Sequence, residues 1–156
     1  MDSATAWNGN WAWSLPLIVL TVIFHVIGLG LFNAKLDEFL DARKDHRRYD
    51  FIFVMVMGTI AMWATFLLAV EAGVWAVAYR SLGALPDSRS ALLYSLSAIT
   101  TYGHADTFLA KHWQLMGALE ALNGIMLFGL TTAFMYGMIQ RVWPIERRRG
   151  RRTPAP

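Results

Sequence analysis

The sequence predicts an all-α integral membrane protein with three transmembrane helices and one short re-entrant helix. Three observations carry that prediction. Three apolar stretches are long enough to cross a bilayer, the basic residues gather beside them rather than within them, and a fourth apolar segment is too short to cross. At 156 residues the chain is one domain at most, and at 56% hydrophobic residues it is too apolar for an ordinary soluble domain. The absence of cysteine excludes disulfides and thiolate sites, and the 4 histidines are scattered without metal-ligand spacing. Net charge is only +3, with the basic residues clustered next to hydrophobic spans. That distribution points to a charged cytoplasmic face and contact with anionic lipids, not to nucleic acid.

The first span, residues 13–33, is uncharged and as long as a bilayer of roughly 30 Å requires. Met1 to Trp13 carries only Asp2, so the basic n-region of a signal peptide is missing and the span is expected to be retained. Trp7, Trp11 and Trp13 suit an interfacial belt. The second span, 51–79, is interrupted only by Glu71, and the third, 113–142, by Glu120 and Asn123. Both exceed the minimum length, so tilting or protrusion is expected.

Lys and Arg set the expected orientation. Segment 34–50 holds Lys35, Arg43, Lys44, Arg47 and Arg48, and the tail holds Arg141, Arg147, Arg148, Arg149, Arg151 and Arg152. The N-terminus has none, and 80–112 has only Arg80, Arg89 and Lys111. The positive-inside rule then places the N-terminus outside, 34–50 inside, 80–112 outside and the tail in the cytoplasm, in agreement with the parity of three spans. A cell membrane, the inner membrane of a bacterium, is the expected location.

Segment 88–100 is the piece too short to cross. Asp87 or Ser88 can cap a helix after Pro86, and the apolar run Ala91 to Ile99 makes about two and a half turns. Bounded by Pro86 and a turn at Gly103, it fits a re-entrant helix on the outer side. Such backbone is tolerated at membrane depth only when packed in protein or lining water, and three spans from one chain cannot enclose it. An oligomer is therefore expected.

Immediately afterwards come Thr100-Thr101-Tyr102-Gly103-His104-Ala105-Asp106. Eighteen residues beyond Asp106 the third span carries Gly124-Ile125-Met126-Leu127-Phe128-Gly129-Leu130-Thr131-Thr132-Ala133. Together these resemble the pore of tetrameric potassium channels, whose Thr-Thr-x-Gly-aromatic-Gly-Asp run lines the ion path with backbone carbonyls and is followed by an inner helix with a glycine hinge. The resemblance covers about residues 51 to 143 and implies a potassium-channel pore fold assembled as a homotetramer. It divides the chain into an N-terminal segment with an additional helix (1–33), a basic cytoplasmic loop (34–50), a pore domain (51–143) and a basic tail (144–156). The additional span has no arginine series, which argues against a voltage sensor.

By that resemblance Thr100 ends the pore helix, and potassium or another monovalent cation binds at Thr101, Tyr102, Gly103 and His104; no organic cofactor is implied. Asp106 keeps the outer-mouth carboxylate. Ala105 stands where the family has its second glycine, and a left-handed backbone there would cost alanine about 1–2 kcal/mol. The upper filter is therefore expected to widen or take another conformation, with weakened selectivity. His104 stands at the family's aromatic position. Fourfold symmetry would make a ring of imidazoles with an unperturbed pKa of about 6.5, so external acid is expected to lower conduction.

The resemblance makes Gly124 the hinge and places Ile125, Phe128, Thr132, Tyr136 and Gln140 on the pore-facing side, with Tyr136 as a possible constriction. Their spacing of three or four residues independently puts them on one helical face. The position of the family's pore-helix glutamate, which braces the aspartate in several relatives, is Ser97 here. Glu71 and Glu120 are placed either to replace that brace or to pair with Arg80 or Lys111, with a structural role favoured for both. Asn123 is expected to hydrogen-bond between helices, and His25 to be a bonded structural group. The leading function is a monovalent-cation channel, potassium first, with no catalysis. The alternative is a non-conducting membrane accessory protein; an intramembrane enzyme has little behind it.

Overall fold

A computed structural model of the chain describes residues 3–42, 49–103 and 107–142. The described residues form four helices, a single 3₁₀ turn and no strand: α1 (Ser3–Ala42), α2 (Tyr49–Ser81), α3 (Ser88–Ile99), the turn at Lys111–Trp113, and α4 (Gln114–Val142). Trp7–Leu36, Phe53–Ser81 and Lys111–Arg141 are each long and apolar enough to cross a membrane. The chain is thus an all-helical protein with three membrane-length helices, and α3, at 12 residues, is not one of them. Apolar side chains stand exposed along the long helices, among them Val19, Ile27, Leu31, Met62, Phe66 and Val77. A surface of that kind belongs against lipid or other protein, since soluble monomers do not carry contiguous apolar patches so extensive.

α1 departs from the expected span. It runs for 40 residues, through Pro16 and past residue 33 into what reads as a cytoplasmic loop. Its last turns are held by Leu36, which packs with Val56, Ile60 and Met138, and by a Lys35–Glu38 contact at 3.3 Å across one turn. α2 and α4 follow the expected spans to within two residues.

α1 lies parallel to α4 and in register with it over nearly its whole length. Asn10 Nδ2 donates to the His112 carbonyl at 2.6 Å, and Asn10 Oδ1 accepts from the Met116 N–H at 2.9 Å. Further down, Asn123 Nδ2 donates to Thr21 Oγ1 at 2.8 Å, His25 Nε2 is 2.9 Å from Thr131 Oγ1, and Arg141 Nη1 donates to Asn33 Oδ1 at 3.0 Å. Each of these pairs is separated by between 102 and 108 residues, so the two helices descend together. α2 runs the other way: Val56 and Ile60 meet Met138, while Trp75 and Tyr79 join Met116 in a cluster at the opposite end.

α3 is a short helix with defined ends. Asp87 has extended backbone (φ −141°, ψ 159°), and its Oδ1 accepts from the Ser90 N–H at 2.9 Å, so Asp87 rather than Ser88 is the cap. The Ser90 N–H also holds the Asp87 carboxyl below the usual carboxylate range. Ala91, Tyr94, Ser95, Ala98 and Ile99 are buried between α2 and α4. The closest approach is at Gly124 of α4, where an added Cβ would overlap the carbonyl group of Ile99. Glycine is required there by contact with α3, and α4 continues as α-helix through it.

Gly124→Ala is expected to lower stability by about 1–3 kcal/mol, the usual cost of overpacking a tight site. Gly129→Ala, where an added Cβ would meet nothing within 4 Å, should be neutral or stabilising. Thermal unfolding of the two variants in the same detergent would check the contrast; equal melting temperatures would show that α3 does not rest on Gly124.

Candidate functional site

The end of α3 is where the backbone turns unusual. Thr100 closes the helix in right-handed conformation (φ −85°, ψ −2°), and its hydroxyl donates back to the Leu96 carbonyl at 2.6 Å. Thr100 is thus the C-cap of α3, whose last helical residue is Ile99. Thr101 follows at φ 56° and Gly103 at φ 90°, while Tyr102 between them is not in the positive-φ region. A β-branched residue in the left-handed region is strained by about 1–3 kcal/mol, which glycine at 103 avoids.

What holds the strained turn is the set of carbonyls at the end of α3. The N–H of Thr100 donates to Leu96 O at 3.2 Å, that of Thr101 to Ala98 O at 2.9 Å, and that of Tyr102 to Ser97 O at 3.0 Å. Gly103 N–H reaches the same Ser97 carbonyl at 3.4 Å. Consecutive N–H groups thus point back into the helix and satisfy its terminal carbonyls. Among the described residues the carbonyls of Thr101, Tyr102 and Gly103 accept no backbone hydrogen bond. Thr101, Tyr102 and Gly103 are all exposed, Tyr102 at 88%. The turn therefore presents an exposed aromatic ring together with carbonyls that take no hydrogen bond from the described backbone. His104, Ala105 and Asp106 lie outside the described residues.

α4 presents two opposite faces. Ile125 (59% exposed), Phe128 (42%) and Tyr136 (61%) share the outward face with Thr132 and Gln140. Thr132 Oγ1 donates to the Phe128 carbonyl at 2.8 Å, and Gln140 Nε2 donates to Tyr136 Oη at 2.7 Å. Phe128 and Tyr136 are therefore not packed between helices of their own chain. The opposite face, with Glu120, Asn123, Leu127 and Thr131, is buried. The stripe expected from spacing is one continuous exposed face, with Phe128 the most covered of its rings.

Two buried carboxylates anchor the region behind the turn. Glu120 accepts from Tyr79 Oη at 2.6 Å and from the Ser95 hydroxyl of α3. Ser95 Oγ also lies 2.7 Å from the Ala72 carbonyl, so α2, α3 and α4 meet at one hydroxyl. Glu71 lies against His25 of α1, with Nδ1 2.9 Å from Oε1. Of the two alternatives, pairing with Arg80 or Lys111 is not found among the described residues: both carboxylates are fully buried and reach groups nearer to hand, while Arg80 and Lys111 are exposed. Burial without water favours a short neutral or histidine partner over a long cationic side chain. His25 is a bonded group, as expected, and Asn123 bonds between helices.

Reading the sequence did not identify Asn10, Thr21, Thr131, Tyr79 or Ser95 as partners in this network. The available signal was their polarity on otherwise apolar helices, with Asn10, Thr21 and His25 recurring on one side of α1.

Glu120→Leu should cost about 1–3 kcal/mol, because it strands the buried Tyr79 hydroxyl while Ser95 keeps the Ala72 carbonyl. Glu120→Gln, whose amide oxygen can accept from one hydroxyl while its NH2 donates to the other, should cost less. Asn10→Ala, which removes two interhelical bonds, should cost about 1–3 kcal/mol. Chemical unfolding in detergent would measure all three, and a Glu120→Leu protein as stable as the parent would refute the network's importance. Compared with protein-family models, curated proteins and solved structures, the chain matches none.

Proposed function

We propose that this chain forms a homotetrameric channel for monovalent cations, potassium foremost, with the turn after α3 as its selectivity filter. The observation that carries this reading is the turn itself. N–H groups of Thr101, Tyr102 and Gly103 point back into α3, their carbonyls are left unpaired among the described residues, and left-handed backbone at Thr101 and Gly103 flanks Tyr102. Backbone of that kind at membrane depth has a purpose when carbonyl oxygens replace an ion's hydration shell. The C-terminal end of α3 adds partial negative charge at the same place.

The second support is what the chain leaves open. Tyr102 and the Ile125–Phe128–Thr132–Tyr136–Gln140 face are left exposed by the chain itself. Copies arranged around an axis would enclose both, with four filters meeting and four α4 faces lining the path below. The Lys and Arg distribution supports a cytoplasmic C-terminus in a cell membrane, an external N-terminus and anionic lipid at the basic side. In this reading Gly124 serves as hinge in addition to its contact with Ile99. Ala105 and His104 are the positions where selectivity and acid sensitivity are set.

Cation flux from liposomes holding the purified protein tests the proposal. Potassium flux above that of empty liposomes is expected, with sodium permeating measurably, and Ala105→Gly should lower the sodium-to-potassium ratio. Lowering external pH from about 8 to about 5.5 should reduce flux as the His104 ring protonates, and replacing His104 by Gln should abolish that response. No flux of either ion, from protein shown to be tetrameric, would favour the non-conducting accessory reading instead.

A further inference from the structure

We propose that α1 is a strap on the back of the inner helix, and that the His25–Thr131 tie positions the half of α4 below Gly124 for conduction. The inference rests on the cation-pore reading. Its basis is where the ties fall. Asn10 and Thr21 bond to α4 at or before Asn123, above Gly124, whereas His25 and Asn33 bond to Thr131 and Arg141, below it. Gly28 of α1 is pressed against Leu67 of α2, where an added Cβ would lie 2.6 Å from Leu67 Cδ2, and its carbonyl accepts from Trp63 Nε1 at 3.0 Å. α1 is thereby fixed to α2 at the same depth. Any bend of α4 at Gly124 must either move α1 and α2 with it or break the lower ties.

The direction of the restraint follows from the helical wheel. At about 100° per residue, Glu120, Asn123, Leu127 and Thr131 stand on the side of α4 opposite Ile125, Phe128, Thr132 and Tyr136. α1 holds the first side, so its lower ties draw α4 away from the face that would line the path. His25 is the central link because it is fully buried and engages two helices at once, Glu71 of α2 through Nδ1 and Thr131 of α4 through Nε2. With Nδ1–H given to the Glu71 carboxylate, a neutral ring leaves Nε2 to accept the Thr131 hydroxyl. Thr131 is thus a positioning residue. It lies off the exposed face and acts only through the set of the helix.

The chain has no cysteine, so a Leu36→Cys, Met138→Cys pair introduces the only thiols at the lower α1–α4 contact. The rate of their oxidative cross-linking reports helix separation without reference to conduction. In tetrameric protein in bilayers, Thr131→Val should slow cross-linking and lower open probability at least about fivefold, the ratio carried by one typical hydrogen bond. Unitary current and the sodium-to-potassium ratio should stay at their parent values. Thr131→Ser, which keeps the hydroxyl, should restore both cross-linking and open probability. His25→Gln, retaining a polar partner on one side only, should fall between them. Unchanged open probability in Thr131→Val overturns the proposal, whether or not cross-linking slows, and leaves the pore reading standing. A lowered open probability with unchanged cross-linking also overturns it. If the parent protein passes no cation, the pore reading fails, and the strap's control of a pore fails with it.

Discussion

The contact between the Ile99 carbonyl and Gly124 sets how α3 sits in the bundle, and the rest of the structure depends on it. A 12-residue helix cannot cross a bilayer, so it has to be lodged among longer ones. Gly124 lets the end of α3 approach the α4 backbone itself. Ser95, one turn earlier, fixes the roll of α3 by reaching both the Ala72 carbonyl of α2 and the Glu120 carboxylate of α4. Tyr94 fits beside Gly117, where an added Cβ would be 3.1 Å from its ring carbon Cζ. With depth and roll fixed, the residues after Ile99 have one place to go. Their N–H groups fold back on the helix end, and their carbonyls take no hydrogen bond from the described backbone.

The polar groups buried in these helices follow from the same constraint. A group that cannot reach water in hydrocarbon must find a partner or lose several kcal/mol, on the order of a large share of a domain's net stability. The chain meets much of this with short side chains in pairs, Asn123 with Thr21, Tyr79 and Ser95 with Glu120, His25 with Glu71 and Thr131, while Ser14 Oγ, Glu71 Oε2, Asn123 Oδ1 and the Trp75 and Trp113 indole N–H groups have no hydrogen-bond partner among the described residues. Such pairs also fix register, since a slip of one turn would leave both members stranded. That is why α1, whose apolar surface alone has little preference for one neighbour in lipid, runs in step with α4 from Asn10 to Asn33.

Much of this architecture is legible in the sequence, and the parts that are not share a physical reason. The three long helices are written as uninterrupted apolar runs, and α3 is written as Pro86, a cap and twelve residues, because these are local signals. The stripe of Ile125, Phe128, Thr132, Tyr136 and Gln140 is legible for the same reason: helical spacing decides a shared face. The extension of α1 beyond residue 33 is not, since Lys35 and Glu38 end the hydrophobic run while Leu36 still packs on Met138. Partners more than forty residues apart are not legible either. His25 reads as a lone histidine until Glu71 and Thr131 are brought to it, and Gly124 shows its packing role only once α3 lands there.

A division of labour between the two faces of α4 connects these observations. One face spends its polarity inside the chain, on Ser95, Tyr79, Thr21 and His25, and so is fixed in depth, roll and register. The other keeps Ile125, Phe128 and Tyr136 exposed, as are Thr101, Tyr102 and Gly103 of the turn after α3. Lipid or protein could cover the rings, whereas the turn's carbonyls need a donor, from water or from protein. The two faces of α4 thus separate what fixes the helix within its own chain from what it offers outside it, and the buried polar residues Glu120, Asn123 and Thr131 all fall on the first.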